Sequence, residues 1–297
     1  MPEQTPTENS GRTRSAAASR PRREIVSFVR RGRRLTEEQT EAWDAHHEQY
    51  MLDVPQGERD TLIHPDVRLD PVKLFGNDNP LIIEIGSGQG DNIAQAAADM
   101  PDHNFLAFEV WGPGNAQTVV HLQRLGLPQN LRILEFDAEH SLPGLLPESS
   151  VEEVWIFFAD PWHKTKHHKR RLVSAGFLEE LHTLLKPGGR VRTATDWADY
   201  ASHQAHAFET VAARGLFTND HPDGPRPTGS TTDEIPEDSP ATGWAPRFER
   251  RVRTAFEGKA LRAGRLIWDL SYSAQKPAAP AASATEDGSA ASEPTTR

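Results

Sequence analysis

The stretch "LIIEIGSGQGDN", Leu81 to Asn92, sets a short apolar run before three alternating glycines and the start of a helical pattern. Leu81 to Gly86 reads as a buried strand, and Asp91 to Met100 carries the spacing of a helix. Glycines between a strand and a helix let backbone N–H groups approach a ligand. The same alternation recurs downstream. "NFLAFEV" (104–110), "LRILEF" (131–136), "VEEVWIFF" (151–158) and "GRVRTAT" (189–195) read as strands. Helical patterns cover Gly114 to Leu125, Ser174 to Leu185, closed by Pro187-Gly188-Gly189, and Tyr200 to Arg214. Upstream, Thr36 to Gln39 matches a capping box opening a helix that carries Trp43 and Tyr50, and "RLIWDLSY" (265–272) is a last strand. Strands separated by helix-length segments imply right-handed βαβ units in an α/β, doubly wound, mostly parallel sheet. Ligands of such sheets sit at the carboxyl ends of the strands.

The chain has 297 residues, and its 36% apolar content is low for a protein folded throughout. Three segments explain the shortfall. Residues 1–22 are an Arg-rich tail of Ser, Thr, Ala and Pro, 274–297 form an Ala/Pro/Ser/Thr tail, and 220–245 make an acidic Pro-rich insertion with five Pro and six acids. The plainest reading of all three is disordered linker, leaving one domain over 23–273. No apolar run reaches membrane-spanning length, the start lacks a secretory h-region, and the absence of Cys removes disulfides and thiolate chemistry. A cytoplasmic protein without a membrane partner is expected. Net charge is −10, which by itself repels a polyanion, but Lys164 to Arg171 carry five Lys/Arg and no acid. Local basic clusters bind phosphate backbones whatever the total.

Gly86, Gly88 and Gly90 give G-x-G-x-G, where a dinucleotide fingerprint wants G-x-G-x-x-G. With Glu84 in the strand and no phosphate-binding Lys, the loop suits an adenosine ligand carrying an amino acid; a tight turn with no ligand is the alternative. Glu109 ends the second strand, where an acid accepts ribose hydroxyls, and Asp137 ends the third, where one reaches an adenine amino group. Asp160 ends the fourth in "FADPWHKTKHHKRRL" (158–172), and Trp162 offers a face for stacking a base. Lys164, Lys166, His167, His168, Lys169, Arg170 and Arg171 then form an anion-holding surface or, in the plainer reading, a solvated charge run. The histidine pair has no metal-ligand spacing, so no metal is expected. Asp196 follows the fifth strand beside Trp197, and "PRFERR" (246–251) places Phe248 and Glu249 among three Arg.

Together, "EIGSGQG", "FEV", "FDA", "FADPWHKTKHHKRRL", "TATDW", "RFERR" and "WDL" resemble the bacterial tRNA (guanine-N7-)-methyltransferases, over roughly 25–272 of this chain. The specific part is the D-P-W-x-K-x-x-H-x-K-R-R pattern. The resemblance implies a Rossmann-like class I methyltransferase fold with an antiparallel last strand, S-adenosylmethionine as cofactor, and methyl transfer to guanine N7 in tRNA, at the variable-loop guanine of position 46. It implies that Glu84, Gly86, Gly88, Glu109, Asp137 and Asp160 hold the cofactor or the transfer site, with Asp160 catalytic. It implies substrate contact by Lys164, Asp196, Pro246, Arg247, Phe248 and Glu249, and RNA contact by Lys166 to Arg171. Two positions depart from the family. Ala159 stands where members commonly have Pro, and Pro246 where they commonly have Thr, which leaves only backbone for contact there. A monomer is expected, with a homodimer as the alternative. Competing readings are a non-catalytic RNA-binding protein on a dead methyltransferase fold and a nicotinamide oxidoreductase, which the loop spacing disfavours.

Overall fold

The computed structural model describes residues 26–28, 32, 34–229 and 234–276. In chain order the elements are α1 (Glu37–Tyr50), α2 (Pro71–Phe75), β1 (Leu81–Ile85), α3 (Asp91–Asp99), β2 (Asn104–Phe108), α4 (Gly112–Arg124), β3 (Leu131–Leu134) and α5 (Ala138–Ser141). After these come β4 (Val151–Phe157), a 3-10 helix (Thr165–Arg170), α6 (Ala175–Leu184), β5 (Leu185–Thr195), α7 (Ala198–Ala212), β6 (Phe217–Asn219), α8 (Ala255–Arg262) and β7 (Trp268–Ala274). The strands make one sheet in the order β3-β2-β1-β4-β5-β7-β6. The first five pair in parallel, and β7 runs antiparallel between β5 and β6.

All five residues of β1 are buried, as a central strand covered on both faces requires. Period-two alternation divides them. Leu81, Ile83 and Ile85 join the core that includes α6 and α7, while Ile82 joins the core formed with α1, α3 and α4. From β1 the chain winds outward through β2 and β3, then returns to lay β4 on the other side of β1. That reversal splays the loops after β1 and β4 apart and opens a crevice at their carboxyl ends. The capping box of α1 forms, with Thr36 and Gln39 exchanging both hydrogen bonds. Among the described residues no helix is long and apolar enough to cross a membrane.

Several expectations shift. Pro187 to Gly189 lie inside the irregular start of β5, where the pairing with β4 slips, and do not merely close the helix before it. The short β6 and α8 carry patterns too brief for periodicity to reveal. The described parts of the acidic segment, 220–229 and 234–245, are largely at the surface but are tied to the fold at particular residues. Trp244 is 1% exposed against Trp268, and the Arg226 guanidinium donates to the Ser239 and Pro240 carbonyls. At the C-terminal end, Ala274 finishes β7, and Lys276 donates to Ser149 Oγ and the Thr183 carbonyl. The tail assigned to 1–22, and residues 277–297 of the tail assigned to 274–297, lie outside the described residues.

Candidate cofactor and RNA site

At the crevice a cavity of about 190 Å³ is walled by the loops after β1, β2, β3 and β4 and by Thr254 and Phe256 of the segment entering α8. Among the described residues its walls hold six carboxylates, on Glu84, Asp91, Glu109, Asp137, Glu139 and Asp160, and no Lys, Arg or His. Such a wall repels phosphate and attracts a cation, so it disfavours a nicotinamide dinucleotide and fits a sulfonium with a free ammonium group. Ser87 in the glycine loop lines this cavity, and its buried Oγ has no hydrogen-bond partner among the described residues.

The loop is held open by specific contacts. Gly88 and Gly90 take φ of +60° and +78°, and a Cβ on Gly90 would lie 2.1 Å from Thr118 Oγ1. The Gly88 N–H donates to Glu109 Oε2 at 2.7 Å and the Trp111 N–H to Glu109 Oε1 at 2.8 Å. Glu109 thus ties the loop after β1 to the start of α4, in addition to facing the cavity. Its carboxyl is pushed up to about 7 by burial, which the N–H groups of Trp111 and Gly88 oppose and Asp160 reinforces. Glu84, 3% exposed, accepts from Asn92 Nδ2 at 3.2 Å, and burial pushes its carboxyl up to about 8. Asp137 accepts from the Glu139 N–H, capping α5, and lies 2.9 Å from His140 Nδ1. Asp137, Glu139 and His140 bring ligand-capable atoms within 4.8 Å of one another, a trio that this capping and pairing already explains.

Asp160 is exposed at the cavity mouth. The chain reaches it through strain: Phe158 and Trp162, on either side, take φ of +57° and +48°, uncommon for bulky residues and a feature that gathers at functional sites. Beyond, Lys164, Lys166 and Lys169 are exposed and His167 and His168 half-buried on the 3-10 helix. Two arginines of that block turn elsewhere. Arg171, 4% exposed, pairs with Asp199 and donates to the Pro161 carbonyl at 3.0 Å, so it holds the loop rather than presenting charge to solvent. Arg170 lies 3.8 Å over the Trp162 ring and donates to the Val26 carbonyl at 2.7 Å. Trp162 itself donates to the Ser27 carbonyl at 2.9 Å, so Arg170 covers one face of the ring expected to stack a base and the Ser27 carbonyl holds its edge.

Of the remaining expected substrate residues, Pro246 and Glu249 are exposed. Asp196 pairs with Arg265 at 2.7 Å, and Arg247 with Glu257 at 2.7 Å. Phe248 packs edge-on against Trp155, centroids 5.5 Å apart, with Arg192 over it, which makes it a packing residue rather than a free ring for substrate. The segment bearing Glu249 is anchored by Arg251, whose buried guanidinium pairs with Asp269 of β7 and Glu257 of α8 and lies over Phe157 and Phe158. Arg251 and the cavity residues Ser27, Phe28, Thr254 and Phe256 were not among the expected site residues. Two signals point near Arg251: "RFERR", which contains it, and the "WDL" around Asp269, since a buried acid in a strand demands a partner.

The family model described as "Putative methyltransferase" matches residues 78–270. The chain is 43% identical over 276 residues to the tRNA (guanine-N(7)-)-methyltransferase of Arthrobacter sp. (strain FB24), covering 83% of this chain and 85% of that protein. It is 41% identical to the protein of the same name from Paenarthrobacter aurescens (strain TC1), covering 83% and 90%. With that of Cutibacterium acnes (strain DSM 16379 / KPA171202) it shares 38%, covering 86% and 85%. Among solved structures, a variant 16S rRNA (adenine(1408)-N(1))-methyltransferase with cosubstrate SAM from Catenulisporales acidiphilia is 16% identical at a TM-score of 0.45, covering 72% of this chain and 95% of that one.

Proposed function

The chain belongs to the family of the bacterial tRNA (guanine-N(7)-)-methyltransferases, and on that premise we propose how its own residues carry out methyl transfer from S-adenosylmethionine to guanine N7 in tRNA. The observation that carries the reading is an acid-walled cavity opening, through Asp160, onto a helix of exposed Lys. When bound, S-adenosylmethionine supplies the methyl group on its sulfonium. Glu84 and Glu109 would accept from its ammonium and ribose groups, and Asp137 from its adenine amino group. Asp137 and, once a bound cation favours their ionised forms, Glu84 and Glu109 suit a ligand with positive charge at both sulfur and nitrogen.

Guanine N7 carries an in-plane lone pair, so no base has to remove a proton before attack, and positioning with electrostatic stabilisation does the catalysis. Methylation leaves positive charge on the base. Asp160, at the mouth, would face that charge as it develops. Glu249 would accept from the guanine N1–H and N2 amino group, and Asp196 would do so on exchanging Arg265 for the base. Lys164, Lys166 and Lys169 would hold backbone phosphates. N7 is hidden in the deep groove of A-form helix, so the target is a loop base or one opened by the protein, and the family resemblance makes it the variable-loop guanine at position 46. The protein acts as a monomer in the cytoplasm, without a metal.

The test is incubation with unmodified tRNA and with the same tRNA carrying adenine in place of the position-46 guanine. Methylation of the first and not the second supports the reading. Equal methylation of both moves the target elsewhere, and loss of guanine selectivity in Glu249→Gln would support the proposed recognition of the base edge.

A further inference from the structure

A second basic surface flanks the mouth of the cavity. Between Pro246 and Arg265 the chain carries seven Lys/Arg against two Glu, in a molecule of net charge −10. Three of the seven are committed: Arg247 and Arg251 to Glu257 and Asp269, Arg265 to Asp196. Arg250, Arg253, Lys259 and Arg262 are exposed. Helix α8 arranges the last two. Thr254 caps it by accepting from the Glu257 N–H at 3.2 Å, and Glu257 and Ala260 turn inward. Phe256, Lys259 and Arg262 therefore follow one another at three-residue spacing along the outer side.

Phe256 is 53% exposed, yet it lines the same cavity as Asp160. An aromatic ring held in water at the lip of an acid-walled cavity contributes little to the fold, but its flat face suits a nucleobase. The two basic segments also reach the mouth from opposite faces of the sheet. Leu172 and Val173, just past the 3-10 helix, belong to the core of the α6 and α7 face, and Phe248 packs on the α3 and α4 face.

We infer that α8 and the residue before its cap form a second tRNA-binding surface, distinct from the 3-10 helix. Phe256 stacks on a nucleobase beside the target guanine, and Arg253, Lys259 and Arg262 hold the phosphates on that side. Charge complementarity selects the occupant, because four exposed cations gathered on a molecule of opposite net charge match a polyanion. The inference rests on the reading that tRNA is the substrate.

The experiment compares wild type, Phe256→Ala and the triple variant Arg253→Ala/Lys259→Ala/Arg262→Ala. It measures tRNA affinity across a salt series, S-adenosylmethionine affinity by calorimetry, and methyl transfer. Removing one cation that neutralises a phosphate flattens the log–log salt dependence by about 0.7 to 0.9, so the triple variant should show a slope shallower by about 2 to 3. Phe256→Ala should weaken tRNA binding roughly five- to 150-fold with the slope kept. Both should bind the cofactor as wild type does, which also reports that they fold. An unchanged slope in the triple variant would overturn the inference, as would a Phe256→Ala protein that loses cofactor affinity and keeps tRNA affinity. If wild type binds tRNA but transfers no methyl, the proposed function fails while the slope comparison still decides the surface. If wild type methylates and the variants bind tRNA as it does, the surface alone is wrong.

Discussion

Replacing Arg251 with alanine should remove the central tie between the sheet and the segment that carries Glu249. The guanidinium is 0% exposed and its main partner Asp269 is 6% exposed, so the variant leaves a buried carboxylate without its cation, while Glu257 keeps Arg247. Breaking a buried pair in this way costs about 3 to 5 kcal/mol, because desolvation of the abandoned charge is no longer offset. For a domain of this size each kcal/mol lowers the melting temperature by about 2 to 4 °C, so a fall of about 6 to 20 °C is expected. The pH dependence gives a sharper signature. Burial already pushes the Asp269 carboxyl up, and Arg251 pulls it back. Without Arg251 the folded value rises further above the unfolded one, so the native variant holds a proton that the unfolded chain has released. Its stability then falls as pH rises above the unfolded value of about 4. The variant should be closer to wild type at pH 5 than at pH 8, by thermal and urea unfolding followed by circular dichroism. Adding Asp269→Asn should recover part of the loss. A fall below about 2 °C, or the same loss at both pH values, would refute the reasoning.

Other consequences follow from the cavity. Glu84 and Glu109, pushed up by burial to about 8 and about 7, hold protons in the folded state that the unfolded chain sheds. The ligand-free protein should therefore lose stability as pH rises from about 4.5 to about 8, and cofactor affinity should increase over the same window because a bound cation favours the ionised forms. Calorimetry at pH 7 in buffers of different ionisation enthalpy should detect proton release that Glu84→Gln reduces; no release would contradict the assignment. Gly114→Ala should abolish cofactor binding, because its Cβ would lie 2.2 Å from the Gly88 carbonyl and push the glycine loop out of place. Wild-type affinity in that variant would show the loop to be more pliant than its contacts imply. Lys164→Ala/Lys166→Ala/Lys169→Ala should lower tRNA affinity and flatten its salt dependence by about 2 to 3 while sparing cofactor affinity, as read in the same salt series.

Much of the architecture was legible because it rests on local patterns. LIIEI alternates faces, Thr36 and Gln39 cap reciprocally, and the glycines sit between a strand and a helix. The acids at the strand ends were legible for the same reason, since topology delivers Glu84, Glu109, Asp137 and Asp160 to one crevice. What stayed hidden depends on contacts between residues far apart in sequence. Arg171 reads as one more charge in a basic run, and only the fold brings it to Asp199 and buries it. Phe248 reads as an exposed ring among arginines until Trp155 and Phe157 are found beneath it. The acidic segment has the composition of a linker, yet Trp244 alone supplies a buried anchor against Trp268 that composition averages away. Phe256 was invisible for another reason, as the eight residues AFEGKALR of α8 are too few for a period to single it out.

The most direct test of the account is transfer of labelled methyl from S-adenosylmethionine to unmodified tRNA by wild type and Asp160→Asn, with cofactor binding measured in parallel and the product analysed as nucleosides. The account predicts label in 7-methylguanosine with wild type, and a loss of about a hundredfold or more in rate with the variant at near-normal cofactor affinity. Label in another nucleoside, or a variant as fast as wild type, would contradict it.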